Sequence, residues 1–412
     1  MKAVVFTLGC KVNECESDSL IAGLIERGYQ VSDKLEYADL YIVNTCAVTA
    51  EAEKKSRQTA ARIKKLNAKA KIIFTGCATQ KNPDQFSSKD SSFLVTGVFN
   101  KNKILDLIDL SGTMISPECD KFEELLPTKS LRTRAYVKVQ DGCNNFCSYC
   151  IIPYLRGRIR SRNPESVIRE IELIQPKEAV INGINLSAYN YDGKNLASLM
   201  ERLKDVECRI RLGSLEVNVI TEEFLTVLKG LKNFAPHFHL SLQSGCDSVL
   251  KKMNRHYTAS EYKEKVDLIR CYFSDAGITT DIIVGFPTET DEDFIETINF
   301  VKSIGFSDIH PFPYSPRSGT VAYKMKDLSP EVKKSRLQVM LGIKADCKTA
   351  FVEKMTGKTL DMLIEETKDG YVEGYSENYL RLYLKGEYRS GQLKKVTVIK
   401  PYKDGAIVEI KE

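Results

Sequence analysis

The chain has 412 residues, of which 42% are hydrophobic and 28% charged, and its formal net charge is only +5. These values are typical of a soluble globular protein of two or three domains. The sequence contains no run of about 18 apolar residues, which excludes a membrane-spanning helix. The N-terminal segment also lacks the apolar core of a signal peptide, so we expect a cytoplasmic protein with no membrane association.

Cysteine is the unusual residue type of this sequence. There are twelve cysteines but only four histidines. The cysteines are spread over a long chain with large core-forming segments, which argues against a disulfide scaffold and favours metal or redox chemistry. A histidine-based active site is disfavoured.

The N-terminal part alternates strands and helices, which predicts a small parallel α/β domain over residues 1–111. A capping signal at Asn13 predicts a helix to about Arg27. Thr49 and Asn100 are expected to cap two further helices, which end near Leu66 and Leu110. The predicted strands are Lys2–Leu8, Asp39–Val43, Lys71–Thr75 and Phe93–Thr96.

Glycine and proline interrupt this pattern at about residues 112–128, which we interpret as a linker. The alternation then resumes at larger scale over residues 129–350. Six βα units predict a partial (βα)6 barrel, short of the eight that close a full one. A last helix is expected from Pro330 to about Ala350. The predicted strands are Ala135–Val139, Ala179–Ile184, Arg209–Gly213, His237–Leu242, Ile278–Val284 and Asp308–Phe312.

Residues 351–412 change character. Apolar and polar residues alternate with period two, as in Leu380–Lys385, which predicts about five short antiparallel strands in a small β-barrel. This segment has eleven basic and eleven acidic residues, so any phosphate contact there must come from local patches such as Arg389, Lys394 and Lys395.

Two segments are locally basic. Lys54–Lys71 has eight Lys or Arg and no acid, and Thr128–Arg162 has eight against one acid, Asp141. Such clusters can meet nucleic-acid phosphates, but each can equally be a solvated helix face.

The motif Cys143-x-x-x-Cys147-x-x-Cys150 follows the first barrel strand, where active-site loops lie. Three thiolates on one loop can bind three irons of a [4Fe–4S] cluster and leave the fourth iron open. An open iron is what reductive cleavage of S-adenosylmethionine (SAM) requires. The alternative is half of a structural zinc site, which would need a fourth ligand, and no Cys or His lies close in sequence.

This motif in this barrel resembles the radical SAM superfamily. The resemblance implies that SAM binds at the carboxyl ends of the barrel strands, although a tight turn is the alternative for each residue there. The candidate SAM-binding residues are Gly183, Asn185, Ser214, Glu216, Gln243, Ser244, Asp281 and Gly285.

A second triad is formed by Cys10, Cys46 and Cys77, each of which follows a strand of the N-terminal domain. The gaps of 36 and 31 residues are each about one βα unit. Because parallel strands end at one edge of a sheet, we expect these three cysteines to converge. Buried structural cysteines are the alternative. We interpret Cys15, Cys119, Cys208, Cys246, Cys271 and Cys347 as structural.

The complete pattern resembles the radical SAM methylthiotransferase family over the whole chain, with a C-terminal barrel like a TRAM domain. The resemblance implies two [4Fe–4S] clusters, one that cleaves SAM and one that carries the inserted sulfur. It also implies a tRNA substrate, a reducing electron donor and a sulfur source. One SAM would supply the methyl group, and a second would give the deoxyadenosyl radical that removes a hydrogen from the base.

The residues around Cys10, Thr-Leu-Gly-Cys-Lys-Val-Asn, are most similar to the branch that acts on threonylcarbamoyladenosine beside the anticodon. The isopentenyladenosine and ribosomal-protein branches tend to have Gln-Met and Pro-Lys after that cysteine. Those substrates are the first alternatives. A non-catalytic iron–sulfur electron carrier or sensor is the alternative from another class, although a carrier needs no cofactor cavity.

Overall fold

The computed structural model describes residues 1–87, 93–125, 132–368 and 370–411. Part of the predicted linker, and the start of the basic segment Thr128–Arg162, lie outside these residues. Within them, no helix combines the length and the apolar character needed to cross a membrane.

The N-terminal domain is a parallel sheet flanked by helices, as the alternation predicts. Its strand order is β2-β1-β3-β4-β5-β6. The strands are β1 (Lys2–Thr7), β2 (Gln30–Ser32), β3 (Leu40–Thr45), β4 (Lys71–Gly76), β5 (Phe93–Thr96) and β6 (Gly112–Met114). The helices are α1 (Lys11–Glu26), α2 (Ala50–Leu66) and α3 (Cys77–Lys81), with 3-10 turns at Pro83–Gln85 and Lys101–Leu107.

The predicted helix caps have mixed outcomes. Thr49 caps α2 through its side chain, which accepts from the Ala52 N–H. Asn13 does not cap α1, because the helix begins at Lys11 and the Asn13 amide instead donates to the Leu8 and Thr45 carbonyls. Asn100 is left-handed and caps nothing, and a 3-10 turn follows it. The strand β6 lies in the segment that we predicted as linker, where it pairs with β5.

The central domain is the predicted six-stranded parallel (βα)6 half-barrel. Its strands follow one another in the order β7, β9, β12 with β13, β14, β15 and β16. The strands β12 and β13 occupy one position in the barrel and are separated only by Gly213. Two short pairs, β7 with β8 and β10 with β11, flank it. The strands are β7 (Ala135–Asp141), β8 (Arg160–Ser161), β9 (Glu178–Gly183), β10 (Asn190–Tyr191), β11 (Lys194–Asn195), β12 (Arg209–Leu212), β13 (Ser214–Leu215), β14 (His237–Leu240), β15 (Gly277–Val284) and β16 (Asp308–Pro313).

The helices of this domain are α4 (Ile152–Arg156), α5 (Pro164–Ile174), α6 (Leu196–Arg202), α7 (Glu222–Gly230), α8 (Asp247–Lys252), α9 (Ala259–Tyr272), α10 (Asp291–Ile304) and α11 (Pro330–Met355), with 3-10 turns at Leu186–Ala188, Val217–Val219 and Ala322–Lys324. Most of them cover its outer face, whereas α4 packs on α3 of the N-terminal domain.

Strand alternation defines the lumen of the half-barrel. Val137, Val139 and Ile181 belong to the apolar core between the strands and these outer helices. Side chains of alternate residues, such as Lys138 and Asn182, therefore face the lumen.

The C-terminal segment closes into the predicted five-stranded barrel, in the order β17-β18-β19-β21-β20. Its interior is apolar. The strands are β17 (Thr359–Lys368), β18 (Tyr371–Tyr375), β19 (Arg381–Lys385), β20 (Leu393–Tyr402) and β21 (Gly405–Ile410).

The small barrel docks where the strands of the central domain begin. Arg211 donates to the Ser376 and Glu377 carbonyls, and the Tyr379 ring stacks on His237 with centroids 4.5 Å apart. The carboxylate of Glu178 is fully buried and pairs with Arg209 and Arg211. This joint leaves the opposite end of the lumen, where the strands end, for the site.

Candidate active site

The loop that carries Cys143, Cys147 and Cys150 follows β7 in a tight turn. Gly142 has φ +73°, and a Cβ there would lie 1.9 Å from the Arg158 carbonyl oxygen, so only glycine fits. The Cys143 N–H donates to the Gly157 carbonyl at 3.1 Å, and the Cys150 N–H donates to the Cys147 carbonyl at 2.9 Å. The three cysteines are therefore held on one compact loop.

A second set of contacts fixes this loop to the rest of the half-barrel. The Ser148 N–H donates to the Met253 carbonyl at 3.0 Å, and its hydroxyl donates to the Lys252 carbonyl at 2.8 Å. From the other side, the Ala322 N–H donates to the Ser148 carbonyl at 2.7 Å. The loop is thus anchored by elements far away in the chain.

Polar donors surround the sulfur atoms of this loop. The Asn145 N–H and the Asn185 amide donate to Cys143 Sγ at 3.5 and 3.7 Å, and Arg255 Nη1 donates to Cys147 Sγ at 3.4 Å. Burial raises the pKa of the Cys150 thiol to about 12. Such donors favour the thiolate form that iron binds, and iron binding must displace the thiol protons.

The candidate SAM-binding residues lie in three groups. Asn185 and Glu216 adjoin the cysteine loop, since the Glu216 carboxylate accepts from the Asn145 amide and pairs with Arg255 at 3.1 Å. Gln243, with φ +70°, binds through its backbone to Asp281. Gly183 ends β9 against Gln140, and Ser214 is exposed at the start of β13.

Two of these candidates have other roles in the structure. The Ser244 hydroxyl is buried against Thr297 of α10 at 3.1 Å, so it faces away from the lumen. Gly285 has φ +67° and packs against Lys333 of α11, while its N–H donates to the Glu289 carboxylate. These contacts place the two residues in turns, and their contact with SAM stays a prediction.

The second triad converges at one edge of the N-terminal sheet. Cys10 precedes α1, Cys46 directly follows β3 and Cys77 begins α3. A Cβ on Gly9 would lie 3.0 Å from Cys46 Sγ, which shows how closely the first two loops approach. Burial raises the pKa of the Cys46 thiol, and the nearby Cys77 and Cys10 add to the rise. Three cysteines that are distant in the sequence therefore lie close enough for their charges to affect one another.

Glycine residues allow the loops that carry Cys10, Cys46 and Cys77 to approach one another closely. Gly76 has φ +106°, and a Cβ there would lie 2.5 Å from the Thr45 carbonyl oxygen. The chain therefore turns sharply just before Cys77. Cys46 and Cys77 are buried and Cys10 is exposed, so the open side of this triad is at Cys10.

Within the described ranges, no three side chains of His, Cys, Asp or Glu meet closely enough to hold a single metal ion. In a [4Fe–4S] cluster each thiolate binds a different iron, so the cysteine triads are not required to meet that closely. The spacing of the cysteines and the N–H groups that donate to Cys143 and Cys147 therefore fit a [4Fe–4S] cluster.

A buried charged network joins the two cysteine regions. Arg156 of α4, just beyond the Cys143–Cys150 loop, is 1% exposed and binds Glu16 of α1 at 2.8 Å and Asp141 at 3.2 Å. Lys138 also pairs with both carboxylates, and Lys101 pairs with Glu16. Burial would raise the pKa of Glu16, but these three cations hold it well below its usual range. The carboxylate is therefore charged and holds α1 against the half-barrel.

Several site residues could not be found from sequence. Arg255 lies in a loop after α8 with no motif around it, and its partners come from two other loops. In the structure Arg156 and Arg160 are buried and Arg158 is exposed, and their spacing in the sequence does not show this difference.

The basic segments also differ from each other. The exposed face of α2 carries Lys54, Lys55, Arg57, Arg62 and Lys65. In Thr128–Arg162, by contrast, most described cations are buried and paired with acids, as Arg162 is with Glu170 and Glu124. In its described part this segment is mainly a structural ion network, which favours a structural role over phosphate binding.

The remaining cysteines lie apart from both triads. Cys15 is buried on α1, and burial together with Glu170 raises its pKa. Cys246 is buried beside Ser248 and two carboxylates of α10. Cys119 and Cys271 are exposed, and Cys208 and Cys347 are half-buried.

Comparison with known proteins gives two family matches. The radical SAM superfamily matches residues 137–301, and a family described as uncharacterized protein family UPF0004 matches residues 2–97. A solved radical SAM methyltransferase, TsrM from Kitasatospora setae, has a TM-score of 0.54 at 14% identity, covering 90% of this chain and 80% of that one. This likeness supports the fold.

Full-length relatives are more specific. The threonylcarbamoyladenosine tRNA methylthiotransferase MtaB of Bacillus subtilis is 36% identical, over 100% of this chain and 98% of the relative. The MtaB protein of Thermotoga maritima is 39% identical, over 99% and 96%. The tRNA-2-methylthio-N(6)-dimethylallyladenosine synthase of Thermodesulfovibrio yellowstonii is 34% identical, over 96% of each.

The half-barrel and its cysteine loop define the class of this protein as a radical SAM enzyme, a class that uses SAM and [4Fe–4S] chemistry. With relatives at 36–39% identity over nearly its whole length, the chain belongs to the radical SAM methylthiotransferase family. The resemblance predicted from the two cysteine triads is therefore confirmed.

Proposed function

We propose that this protein inserts a methylthio group into threonylcarbamoyladenosine beside the anticodon of tRNA. The observation that carries the proposal is the pair of cysteine triads, one at the end of β7 and one at the sheet edge beside α1, joined by a buried network. Full-length relatives from Bacillus subtilis, Aquifex aeolicus and Thermotoga maritima are named for that nucleoside, which supports this substrate over the dimethylallyl one.

We assign one [4Fe–4S] cluster to Cys143, Cys147 and Cys150, and a second to Cys10, Cys46 and Cys77. When bound, the first supplies the electron that cleaves SAM, and the second carries the sulfur that is inserted. The chain's own residues fix these thiols: Asn145, Asn185 and Arg255 hold the first set by hydrogen bonds. Cys15 has no part in either.

We propose that SAM binds beside the first set, at the ends of the barrel strands. Asn185 and Glu216 are best placed, because both contact the cysteine loop or its partners. Gln243 and Asp281 would contact it from the opposite side of the lumen. Gly183 and Ser214 allow backbone approach at the ends of β9 and β12.

The chain divides, in this proposal, into a cluster-bearing domain (1–111), a linker (112–128), a radical SAM core (129–350) and a TRAM-like barrel (351–412). Turnover needs a reducing electron donor and a sulfur source, and we place it in the cytoplasm with its tRNA substrate. The exposed basic face of α2 is the proposed path of the tRNA backbone, because α2 begins beside the loop after β16, where the Ala50 N–H donates to Ser315 at 3.0 Å.

The test is a side-by-side assay of the anaerobically reconstituted protein with SAM and a reductant. The substrates are tRNA bearing threonylcarbamoyladenosine, tRNA bearing isopentenyladenosine, and ribosomal protein. We expect a methylthio product from the first alone, detected by nucleoside mass spectrometry, and about eight irons per chain.

A product from either of the other substrates alone would contradict the substrate assignment but keep the reaction. Failure to release deoxyadenosine on reduction would instead favour the electron carrier. About four irons per chain would contradict the second cluster.

A further inference from the structure

The proposed function assigns Arg156 no role in binding a cluster, SAM or tRNA. Its guanidinium has five N–H groups. Nη1 donates to Glu16 and Asp141, and Nη2 donates to Asn13 and Glu16, at 2.8–3.2 Å. The remaining donor, Nε, is buried and has no hydrogen-bond partner among the described residues.

A buried donor without an acceptor is costly, by about 1–3 kcal/mol. The Cys77 thiol lies close by, since burial raises its pKa and the positive charge of Arg156 opposes that rise. Asn13, which holds Arg156 Nη2, also lies 3.7 Å from Cys10 Sγ. Arg156 therefore reaches from the radical SAM core to the wall of the second triad.

We propose that Arg156 donates its Nε–H to a sulfur of the cluster held by Cys10, Cys46 and Cys77. This inference rests on the proposed second cluster. The cation and the N–H both stabilise added negative charge, so Arg156 is a positioning residue that makes this cluster easier to reduce. It also ties the second cluster to the loop of the first, since α4 directly follows Cys150.

The test measures the midpoint potential of the second cluster in a protein whose Cys143, Cys147 and Cys150 are replaced by Ala. We expect Arg156→Gln and Arg156→Lys to move the potential to more negative values. The matched control is Glu16→Gln, which loosens the same network but removes a negative charge, so its potential should stay or move the opposite way.

Pulsed EPR of the same protein with ¹⁵N-labelled arginine gives a second readout. The reduced cluster should show a ¹⁵N coupling that Arg156→Lys abolishes. Absence of this coupling in the protein with Arg156 intact would overturn the inference even if the variants fail to fold, and so would an unchanged potential in Arg156→Lys. If no second cluster forms with Arg156 intact, the proposed function fails instead, and the inference falls with it.

Discussion

At the scale of single residues, the two cysteine triads depend on backbone shapes that only particular residues allow. Gly9, Gly76 and Gly142 each precede a cysteine, and each has a positive φ. At Gly76 a side chain would also meet the Thr45 carbonyl. These glycines place the thiols, although they have no chemistry of their own.

Gly76→Ala should therefore destabilise the N-terminal domain by about 1–3 kcal/mol and lower the iron content by about half. Gly28→Ala is the matched control, because Gly28 has φ +82° with open space around it. The control should cost about 1 kcal/mol and keep its iron. Urea unfolding and iron analysis measure both effects. Full iron in Gly76→Ala would show that the sharp turn before Cys77 is not required.

At the scale of elements, the strand-helix alternation predicted the fold well because each strand end follows from local pattern. The structure differs from these predictions where contacts between distant segments, which the local sequence pattern does not contain, determine the role of a residue. Asn13 has the sequence of a cap, but its amide bridges two backbone loops and Arg156 instead. Lys138 belongs to a basic segment, yet it is buried and pairs with Glu16, which is distant in the sequence.

Helix α2 is the element on which tRNA binding is expected to depend. Replacing Lys54, Arg62 and Lys65 by Gln should weaken tRNA binding and reduce the slope of log affinity against log salt concentration. Each lost phosphate contact should reduce that slope by about 0.7–0.9. Filter binding at several salt concentrations measures it.

The matched control replaces three exposed lysines on the outer face of the central domain, Lys204, Lys229 and Lys232, by Gln. These lie on or beside α6 and α7, away from both triads. The control should leave the slope unchanged. Equal slopes in the two triple variants would make α2 an ordinary solvated surface.

At the scale of the whole molecule, the joint between the central and C-terminal barrels depends on Glu178. Burial would raise its pKa, but Arg211, Arg209 and Arg134 hold it at about 2. A carboxylate with a lowered pKa stabilises the folded state fully above its unfolded pKa, near 4.5. This stabilisation is lost as pH falls toward 2.

Glu178→Gln should therefore lower the free energy of unfolding by about 3 kcal/mol at pH 7, as the shift in pKa implies. The difference from the unchanged protein should be constant above about pH 5 and shrink below it. Urea unfolding at several pH values checks this. A difference that does not vary with pH would show that the carboxylate charge does not stabilise the joint.

Sequence alone could predict the parallel α/β sheet, the half-barrel and the small β-barrel, because each follows from local apolar patterning. It could not predict how the domains join. The contacts of Glu178 with Arg211, of Glu16 with Arg156 and of Tyr379 with His237 connect segments far apart in the chain. The packing partners of the candidate SAM residues Ser244 and Gly285 lie on later helices, which the local sequence pattern does not show.

The central claim is that the two triads perform different steps. Its most direct test measures deoxyadenosine release and tRNA methylthiolation together in three variants. Cys143→Ala should lose both, Cys46→Ala should keep SAM cleavage and lose methylthiolation, and Cys15→Ser should keep both. A Cys46→Ala protein that still methylthiolates tRNA, or a Cys143→Ala protein that still releases deoxyadenosine, would contradict the account.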